Sequence, residues 1–299
     1  MKHIIESQQF DKKTIELIFK TAEELAKGHE APLKGKIMAS LFYEPSTRTR
    51  FSFESAMLRL GGQVITTENA KEFSSAAKGE TIEDSTRVIN SYADVIVMRH
   101  YEKGASERAA AVSKVPVINA GDGTGQHPTQ ALLDLYTIKK ELGKIDGLTI
   151  AFVGDLKNGR TVRSLAYLLG KFKGNKLFFV SPKQLKLGED IKDYLKHHHV
   201  LFEETEKWDK VLPLLDVLYQ TRIQKERFLS DQEYKVCQGT FILTLKEVKR
   251  MKAKAIIMHP LPRVDEIATA VDSSPKAVYF KQANYGLLIR MALLKLLLK

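Results

Sequence analysis

The stretch Phe42-Tyr43-Glu44-Pro45-Ser46-Thr47-Arg48-Thr49-Arg50 joins an apolar run to an amphipathic stretch. The run Lys36–Phe42 predicts a β-strand, and residues 49–60 carry apolar side chains at the spacing of one helical face. Hydroxyls and guanidiniums therefore gather at a helix N-terminus, where unpaired N–H groups and the helix dipole favour an anion. We predict a phosphate site, because the alternative of an N-cap Ser46 followed by surface arginines explains only one of these side chains.

Apolar runs bounded by turn signals alternate with amphipathic stretches along almost the whole chain, a pattern typical of α/β proteins with parallel sheets flanked by helices. The chain's 299 residues allow two doubly wound domains. Leu287–Leu298 is apolar nearly all round and predicts a buried helix that packs back on the first domain. The predicted strands are Lys36–Phe42, Gln63–Thr66, Asp94–Met98, Val115–Asn119, Leu148–Val153, Lys176–Ser181, Val200–Glu203, Leu215–Tyr219 and Ala255–Met258.

A polar passage with two glycines, Glu141–Gly147, indicates that a second sheet follows. We therefore expect one domain from residues 1–128 with 285–299, and a second from residues 129–284. A cleft between two such domains is a common place for a ligand.

Composition excludes several classes of protein. The chain is 43% hydrophobic and 28% charged, as soluble globular proteins are. We expect a cytosolic protein, since we find neither a leader nor an apolar run of about 18 residues that could span a membrane. The lone Cys237 permits no disulfide within the chain and no cysteine-based zinc cluster.

The net charge of +11 is compatible with nucleic acid, an acidic membrane or anionic substrates. Many lysines fall on patterns typical of solvated helix surfaces. A nucleic-acid surface would interleave basic and exposed aromatic residues, whereas the arginines of interest follow predicted strands. We therefore expect no nucleic-acid or membrane partner.

Further polar residues follow the other strands of the first half. Arg99 and His100 come after one strand, and the glycine-rich loop 121–126 leads to His127 and Gln130 after the next. Ligands of open α/β sheets bind beyond the carboxyl ends of the strands, so these residues are candidates for binding. Neither the dinucleotide fingerprint nor the P-loop motif occurs.

In the second half, Gly154-Asp155 and Asn158-Gly159-Arg160-Thr161 follow one strand, and Thr221-Arg222-Ile223-Gln224 follows another. Two arginines at one sheet edge suit a ligand with two carboxylates, because each guanidinium can hold a carboxylate by paired hydrogen bonds. The last strand leads into His259-Pro260-Leu261-Pro262-Arg263, where a cis bond at Leu261-Pro262 is plausible. The run 197–199, three histidines, is expected to end a helix rather than bind metal.

These motifs resemble those of the carbamoyltransferase family. Residues 42–50 are similar to its carbamoyl phosphate signature, and His127-Pro128-Thr129-Gln130 to its second signature. Segments at 74–80, 154–162, 221–227 and 259–266 resemble the aspartate branch. The ornithine branch is disfavoured, because no Ser-Met-Gly occurs and the His-x-Leu-Pro segment has no cysteine. Asn158 departs from the Tyr or His that is frequent in the aspartate branch.

The resemblance implies transfer of a carbamoyl group from carbamoyl phosphate to L-aspartate, an early step of pyrimidine biosynthesis, without a metal or an organic cofactor. Domain 1–128 with 285–299 would bind carbamoyl phosphate and domain 129–284 aspartate. Catalytic roles are implied for Arg48, Thr49, Lys78, Arg99 and His127. Carbamoyl phosphate contacts are implied for Ser46, Thr47, Arg48, Thr49, Ser74, Lys78, Arg99, His127, Gln130 and Leu261. Aspartate contacts are implied for Lys78, Arg160, Thr161, Arg222, Gln224, Pro260 and Leu261.

The resemblance also implies a homotrimer with shared active sites, in which Ser74 and Lys78 reach a neighbouring subunit. A separate zinc-containing regulatory chain is a further partner that the aspartate branch can have. A catalytically inactive homologue that serves as a scaffold is the remaining alternative, and the complete set of ligand-binding residue types argues against it.

Overall fold

A computed structural model of the chain describes residues 1–28, 31–228 and 230–299. The chain forms two compact units, one made of Met1–Leu133 with Asn284–Lys299 and the other of Asp134–Ala283. Each unit contains one parallel sheet flanked by helices. The predicted α/β class is confirmed, and all nine predicted strands are present, with no end shifted by more than three residues.

The strands of the first unit are β1 (Ile37–Phe42), β2 (Gln63–Glu68), β3 (Val95–His100) and β4 (Val117–Asp122). They are parallel and lie in the order β2-β1-β3-β4. The strands β1, β3 and β4 are almost wholly buried, while β2 at the edge is largely exposed. Buried parallel strands are apolar on both faces, which is why they appear as continuous apolar runs in the sequence.

The helices of the first unit are amphipathic and cover this sheet. In α1, for example, Asp11 caps the helix by accepting a hydrogen bond from the Thr14 N–H at 2.7 Å, and Ile15 and Ile18 are buried. The helices are α1 (Lys12–Ala26), α2 (Thr47–Arg59), α3 (Ala70–Phe73), α4 (Ile82–Ile89), α5 (Ala105–Val112) and the beginning of α6 (Pro128–Leu142), with 3-10 turns at Ser7–Gln9 and Ser75–Lys78.

The second unit contains β5 (Thr149–Val153), β6 (Lys176–Val180), β7 (Leu201–Thr205), β8 (Val217–Gln220) and β9 (Ile256–Met258), all parallel, in the order β7-β6-β5-β8-β9. Its core includes Val180, Leu218 and Ile257, which are fully buried. The helices are α7 (Arg160–Leu169), α8 (Glu189–His197), α9 (Trp208–Val211), α10 (Asp231–Cys237) and α11 (Leu245–Arg250), with 3-10 turns at Lys183–Leu185, Leu212–Leu214, Lys225–Arg227 and Thr269–Ser273.

The C-terminal helix α12 (Tyr279–Leu298) ends within the first unit. There Arg290, only 4% exposed, donates to the Ser52 hydroxyl at 2.7 Å and lies over the Phe53 ring. The predicted packing of this helix on the first domain is confirmed. It begins eight residues before the predicted Leu287, because polar residues such as Lys281 and Gln282 interrupt the apolar pattern of its first turns.

The strand order reverses once in each sheet. In the first unit the chain moves outward in one direction from β1 and in the other from β3, and in the second unit the same happens at β5 and β8. Such switch points open a crevice at the carboxyl ends of the strands, where ligands of doubly wound folds bind. Within the described ranges, no helix is long and apolar enough to cross a membrane.

Candidate active site

The switch point of the first unit brings Arg99 beside the loop that enters α2. The register of β1 and β3 pairs Phe42 with Arg99, and the Tyr43 N–H donates to the Arg99 carbonyl at 2.8 Å. The Arg99 guanidinium is partly buried, with Nε 3.4 Å from a carboxylate oxygen of Glu44. Arg99 is therefore held at the strand end next to residues 44–46.

The first turn of α2 forms the predicted anion cluster. Ser46 occupies the N-cap position, but its hydroxyl accepts no capping hydrogen bond, and the first turn contains no acidic residue. Thr47 is exposed and Thr49 is 7% exposed. The first-turn N–H groups, the hydroxyls and the helix dipole favour an anion at this position.

Only one of the two arginines of the signature belongs to this cluster. Arg50 pairs with Glu68 at 3.0 Å and lies 3.9 Å from Glu54, so the prediction that both guanidiniums gather at the helix start was wrong. Residues two positions apart on a helix are rotated by about 200° about its axis, so Arg48 and Arg50 point to opposite sides. Within the described residues Arg48 makes no ion pair. Desolvation lowers the pKa of Arg48, but a guanidinium stays charged near neutrality.

The loop between β4 and α6 is held by Asp122, whose carboxylate accepts hydrogen bonds from the N–H groups of Gly104 at 2.9 Å and Gln126 at 2.8 Å. Gly123 has a φ of +45°, and a Cβ there would lie 2.5 Å from the Tyr101 carbonyl oxygen. The glycine is therefore required by both conformation and space.

Two predicted binding residues, His127 and Gln130, follow this loop at the start of α6. His127 is 3% exposed, with Nδ1 3.5 Å from the Thr129 hydroxyl, and Gln130 is 8% exposed. They follow β4, which is paired with β3, the strand of Arg99. Carboxyl ends of neighbouring parallel strands lie at one sheet edge, so these residues share that edge with Arg99.

Ser74 and Lys78 lie in a short, largely exposed segment that contains a 3-10 turn. The Ser74 hydroxyl accepts from the Ala76 N–H and donates to the Ala70 carbonyl, and Gly79 ends the turn with a φ of +90°. Lys78 is exposed. Within the described residues, no hydrogen bond or ion pair joins Lys78 to the anion cluster of α2.

The switch point of the second unit depends on close contact between the ends of β5 and β8. Gly154 has a φ of +118°, and a Cβ there would lie 2.3 Å from the Thr221 carbonyl oxygen. The Thr221 hydroxyl donates to the Val153 carbonyl at 3.1 Å. Only glycine permits this approach, which brings the segments beginning at residues 154 and 221 side by side.

Asp155 organises both segments. It is fully buried and accepts hydrogen bonds from the backbone and side chain of Asn158 and of Gln224. Burial raises the pKa of Asp155, while these hydrogen bonds act in the opposite direction. Asn158, the residue that departs from the family pattern, therefore serves as a partner of Asp155.

The arginines of the second unit have unequal surroundings. Arg160 and Thr161 begin α7, whose N-cap Gly159 provides no side-chain cap and whose first turn has no acidic residue. Thr161 hydrogen-bonds to Tyr219. Arg163 pairs with the exposed Asp190.

Arg222 is paired with a carboxylate of the protein itself. Both guanidinium Nη atoms hydrogen-bond to Glu226, one of them at 3.1 Å. The hydrogen bond to Glu226 raises the pKa of Arg222. For Glu226, burial raises the pKa, but the contacts with Arg222 and nearby groups outweigh it and the pKa is lowered. A ligand carboxylate at Arg222 must share the guanidinium with Glu226.

The segment after β9 contains the cis peptide bond at Leu261-Pro262, in agreement with the sequence prediction. Pro260 and Leu261 are half-buried. His259 and Glu266, 2% and 5% exposed, pair with each other at 2.7 Å. Burial raises the pKa of Glu266, but the contacts with His259 and with nearby backbone N–H groups outweigh it, and the pKa is lowered.

The histidine run lies at a helix end. His197 is the last residue of α8, and His198 stacks on Tyr194 while its Nδ1 lies 2.8 Å from the Tyr194 carbonyl oxygen. Among the described residues, no group of three or more His, Cys, Asp or Glu side chains could hold a metal ion. Cys237 is buried, and burial raises the pKa of its thiol.

Sequence reasoning missed the residues that hold the binding residues in place. Asp122 and Asp155 bind backbone N–H groups of adjacent loops, and Glu44 lies beside Arg99. An Asp directly after a buried strand and a glycine is a signal for such a loop. The partners of Glu44 and Glu226 depend on three-dimensional contacts that the local sequence does not encode.

Two units of this kind define a class of doubly wound α/β proteins. One unit has a helix start that suits an anion, and in the other unit an arginine follows each of two neighbouring strands. Comparison with known families identifies the member of the class. The carbamoyl-phosphate-binding domain of the aspartate/ornithine carbamoyltransferases matches residues 2–140, and their Asp/Orn-binding domain matches residues 146–297. The chain belongs to the aspartate/ornithine carbamoyltransferase family, which confirms the predicted resemblance.

Similar proteins carry the name of the aspartate branch. The chain is 58% identical to the chloroplastic aspartate carbamoyltransferase of Arabidopsis thaliana, over 100% of this chain and 78% of that protein. It is 53% identical to the aspartate carbamoyltransferase catalytic subunit of Methanocaldococcus jannaschii, over 100% of this chain and 98% of that protein. The aspartate transcarbamoylase of Trypanosoma cruzi, solved with carbamoyl phosphate and aspartate, shares 42% identity and a TM-score of 0.94, covering 100% of this chain and 97% of that chain.

The expected cytosolic location was wrong. The Arabidopsis relative and relatives from Pisum sativum and Oryza sativa are named chloroplastic. The lack of an apolar run that could span a membrane does not distinguish these compartments, so it could not support the expected location.

Proposed function

We propose that the chain transfers the carbamoyl group of carbamoyl phosphate to the α-amine of L-aspartate, giving N-carbamoyl-L-aspartate and phosphate. The observation that carries this proposal is the α2 start, where Ser46, Thr47, Arg48 and Thr49 combine a helix N-terminus without a side-chain cap with a guanidinium that has no ion-pair partner among the described residues. Membership of the family, and relatives named aspartate carbamoyltransferase, support the choice of donor and acceptor.

In the proposed reaction the amine nitrogen bonds to the carbonyl carbon, and the bond from that carbon to the phosphate oxygen breaks. The electron pair leaves with phosphate, and the proton lost by the amine passes to the departing phosphate. Because carbamoyl phosphate is already activated, the protein contributes positioning and electrostatic stabilisation.

The first unit supplies the donor site in this proposal, corresponding to the domain 1–128 with 285–299. Ser46, Thr47, Arg48 and Thr49 hold the phosphate, and Arg48 stabilises the charge that grows on it. Arg99 spans phosphate and carbonyl oxygen, which Thr49 and His127 polarise. Gln130 accepts from the carbamoyl NH₂. The shared sheet edge of Arg99 and His127 supports these roles.

The second unit, corresponding to the domain 129–284, supplies the acceptor site. Arg160, Arg222 and Gln224 hold the two carboxylates of aspartate, with Thr161 beside Arg160. The carbonyl groups of Pro260 and Leu261 accept hydrogen bonds from amino groups of the reactants. The common link of residues 158 and 224 to Asp155 supports an acceptor site at the β5/β8 switch point.

We further propose a homotrimer in which Ser74 and Lys78 complete the site of a neighbouring subunit. The exposed position of Lys78 supports this, and so does the apolar surface of α2, where Phe51 and Leu58 are 55% and 60% exposed. Pyrimidine biosynthesis is the pathway that we propose for the product. A zinc-containing regulatory chain stays a prediction of the resemblance, and its copurification with the native protein would test it.

The decisive experiment supplies carbamoyl phosphate with L-aspartate and, separately, with L-ornithine, and measures both carbamoylated products by mass spectrometry. We expect N-carbamoyl-aspartate and no citrulline above the enzyme-free control. Citrulline as the main product would transfer the chain to the ornithine branch, and the absence of both products would contradict the proposed function.

A further inference from the structure

The loop after β9 is closed by two buried side chains that the sequence analysis assigned no role. The Nε2 atom of His259 lies 2.7 Å from one carboxylate oxygen of Glu266. The other oxygen of Glu266 accepts from the N–H groups of Val264 at 3.1 Å and Asp265 at 3.2 Å. The two ends of residues 259–266 are thereby joined inside the second unit.

The hydrogen bonds of His259 determine which ring nitrogen carries the proton. Its Nδ1 atom accepts from the Leu261 N–H at 2.8 Å, so Nδ1 presents a lone pair. The neutral ring then carries its proton on Nε2, where it donates to Glu266. Glu266 thus selects the tautomer that can accept from Leu261.

The bond from Leu261 to His259 fixes the direction of a carbonyl group. In a planar trans peptide the N–H and the C=O point in opposite directions. Because the Leu261 N–H points at the His259 ring, the Pro260 carbonyl of the same peptide points away from it. Leu261 itself has a φ of +53°, an unfavourable region for a side chain of this size, and needs such a restraint.

The backbone of His259 is fixed as well. Its N–H donates to the Gln282 side-chain oxygen at 2.9 Å, and the Gln282 amide donates to Asp134 at 2.6 Å. The Tyr219 hydroxyl donates to the other Asp134 oxygen at 2.7 Å. Tyr219 in turn hydrogen-bonds to Thr161, a predicted aspartate contact. This buried network connects the 259–266 loop to the start of α7.

We propose that His259 and Glu266 are positioning residues, which hold the Pro260–Leu261 peptide so that the Pro260 carbonyl faces a reacting amino group. The inference rests on the proposed function, which uses this carbonyl group. Neither side chain touches a substrate in this account. His259 acts through Leu261, and Glu266 acts through His259.

Two substitutions of one residue separate the two ring nitrogens. In His259→Asn the side-chain oxygen can replace Nδ1 as acceptor, while in His259→Gln the amide can reach Glu266 but leaves the Leu261 N–H without its partner. We expect His259→Gln to lower kcat/KM for aspartate by about 100-fold, as misplacement near a reaction centre does. His259→Asn should restore most of this loss, to within about tenfold of the wild type.

Further variants test whether His259 and Glu266 act together, and provide a control. Glu266→Gln should also lower kcat/KM, and combining it with His259→Gln should add little, because both act on the same peptide. His197→Asn, an exposed residue at the end of α8, is the matched control and should leave activity unchanged. Calorimetric titration with inorganic phosphate should give similar affinities for all variants, because the phosphate residues lie in the first unit.

The outcomes separate the two proposals. Absence of carbamoyl-aspartate formation by the wild type would overturn the proposed function. An active wild type with equal losses in His259→Asn and His259→Gln, or with no loss in either, would overturn the positioning role. If the variants do not fold, hydrogen exchange of the Leu261 amide in the wild type tests the positioning role. Slow exchange supports the hydrogen bond to His259. Exchange at the rate of an unprotected amide would overturn it.

Discussion

Arg222 and Glu226 form a two-point ion pair within one short segment of the second unit, with one hydrogen bond at 3.1 Å. The pair keeps the guanidinium in one orientation beside Gln224. We predict that Glu226→Gln raises KM for aspartate about tenfold, equivalent to about 1.4 kcal/mol, because the guanidinium loses its preorganisation. Steady-state kinetics with saturating carbamoyl phosphate measure this, with the exposed Glu233→Gln as control. A lowered KM would instead identify Glu226 as a competitor of the substrate.

The different surroundings of Arg48 and Arg50 predict different effects of their removal. Arg48→Ala should lower kcat by at least about 100-fold, since it removes a charge that stabilises the leaving phosphate. Arg50→Ala should retain most of the turnover, because Arg50 pairs with Glu68. Circular dichroism verifies folding of both variants. Substantial turnover by a folded Arg48→Ala enzyme would contradict the leaving-group role.

The shared site predicts complementation between two inactive chains. Mixing Lys78→Ala and Arg48→Ala subunits under conditions of subunit exchange should restore part of the activity, because some hybrid sites receive an intact residue from each chain. Each variant exchanged with itself is the control. A mixture that contains hybrids by native mass spectrometry yet shows no recovery would rule out sharing through Lys78.

Gly154 should tolerate alanine poorly. Gly154→Ala combines a positive φ with a clash against the Thr221 carbonyl, whereas Gly143→Ala has a positive φ with nothing within 4 Å. We predict that Gly154→Ala lowers the free energy of unfolding by at least about 2 kcal/mol more than Gly143→Ala does. Urea denaturation of both variants measures the difference. Equal losses would mean that the ends of β5 and β8 can separate without cost.

His100 predicts a pH dependence of stability. Burial lowers the pKa of His100, whose Nδ1 accepts from the Glu102 N–H at 3.0 Å. The unfolded chain therefore takes up the proton first as the pH falls below about 6.5. The contribution of His100 to the free energy of unfolding is fully present above that pH and is lost as the pH falls toward the lowered pKa of the folded protein.

The free energy of unfolding of the wild type should therefore exceed that of His100→Asn by more at pH 7.5 than at pH 5.5. Urea unfolding at both pH values measures it, with the exposed His198→Asn as control. An advantage that grows as the pH falls would show that the folded protein stabilises the charged imidazole.

The strand framework could be predicted because strands buried on both faces leave continuous apolar runs, as Leu148–Val153 does. The position of Ser46, Thr47, Arg48 and Thr49 at one helix start could be predicted because these residues are consecutive and directly follow a strand. The partner of Arg50 could not, since Glu68 reaches it through the pairing of β1 with β2. The pairing of His259 with Glu266 likewise depends on how the intervening loop closes.

The start of α2 has a consequence for stability. A helix whose N-cap hydroxyl makes no capping bond forgoes roughly 1 kcal/mol. If phosphate oxygens accept from the same N–H groups, the donor substrate itself serves as the missing cap, and its binding free energy adds to the stability of the first unit. The enzyme is then least stable when it is idle, and substrate supply protects the protein that consumes it.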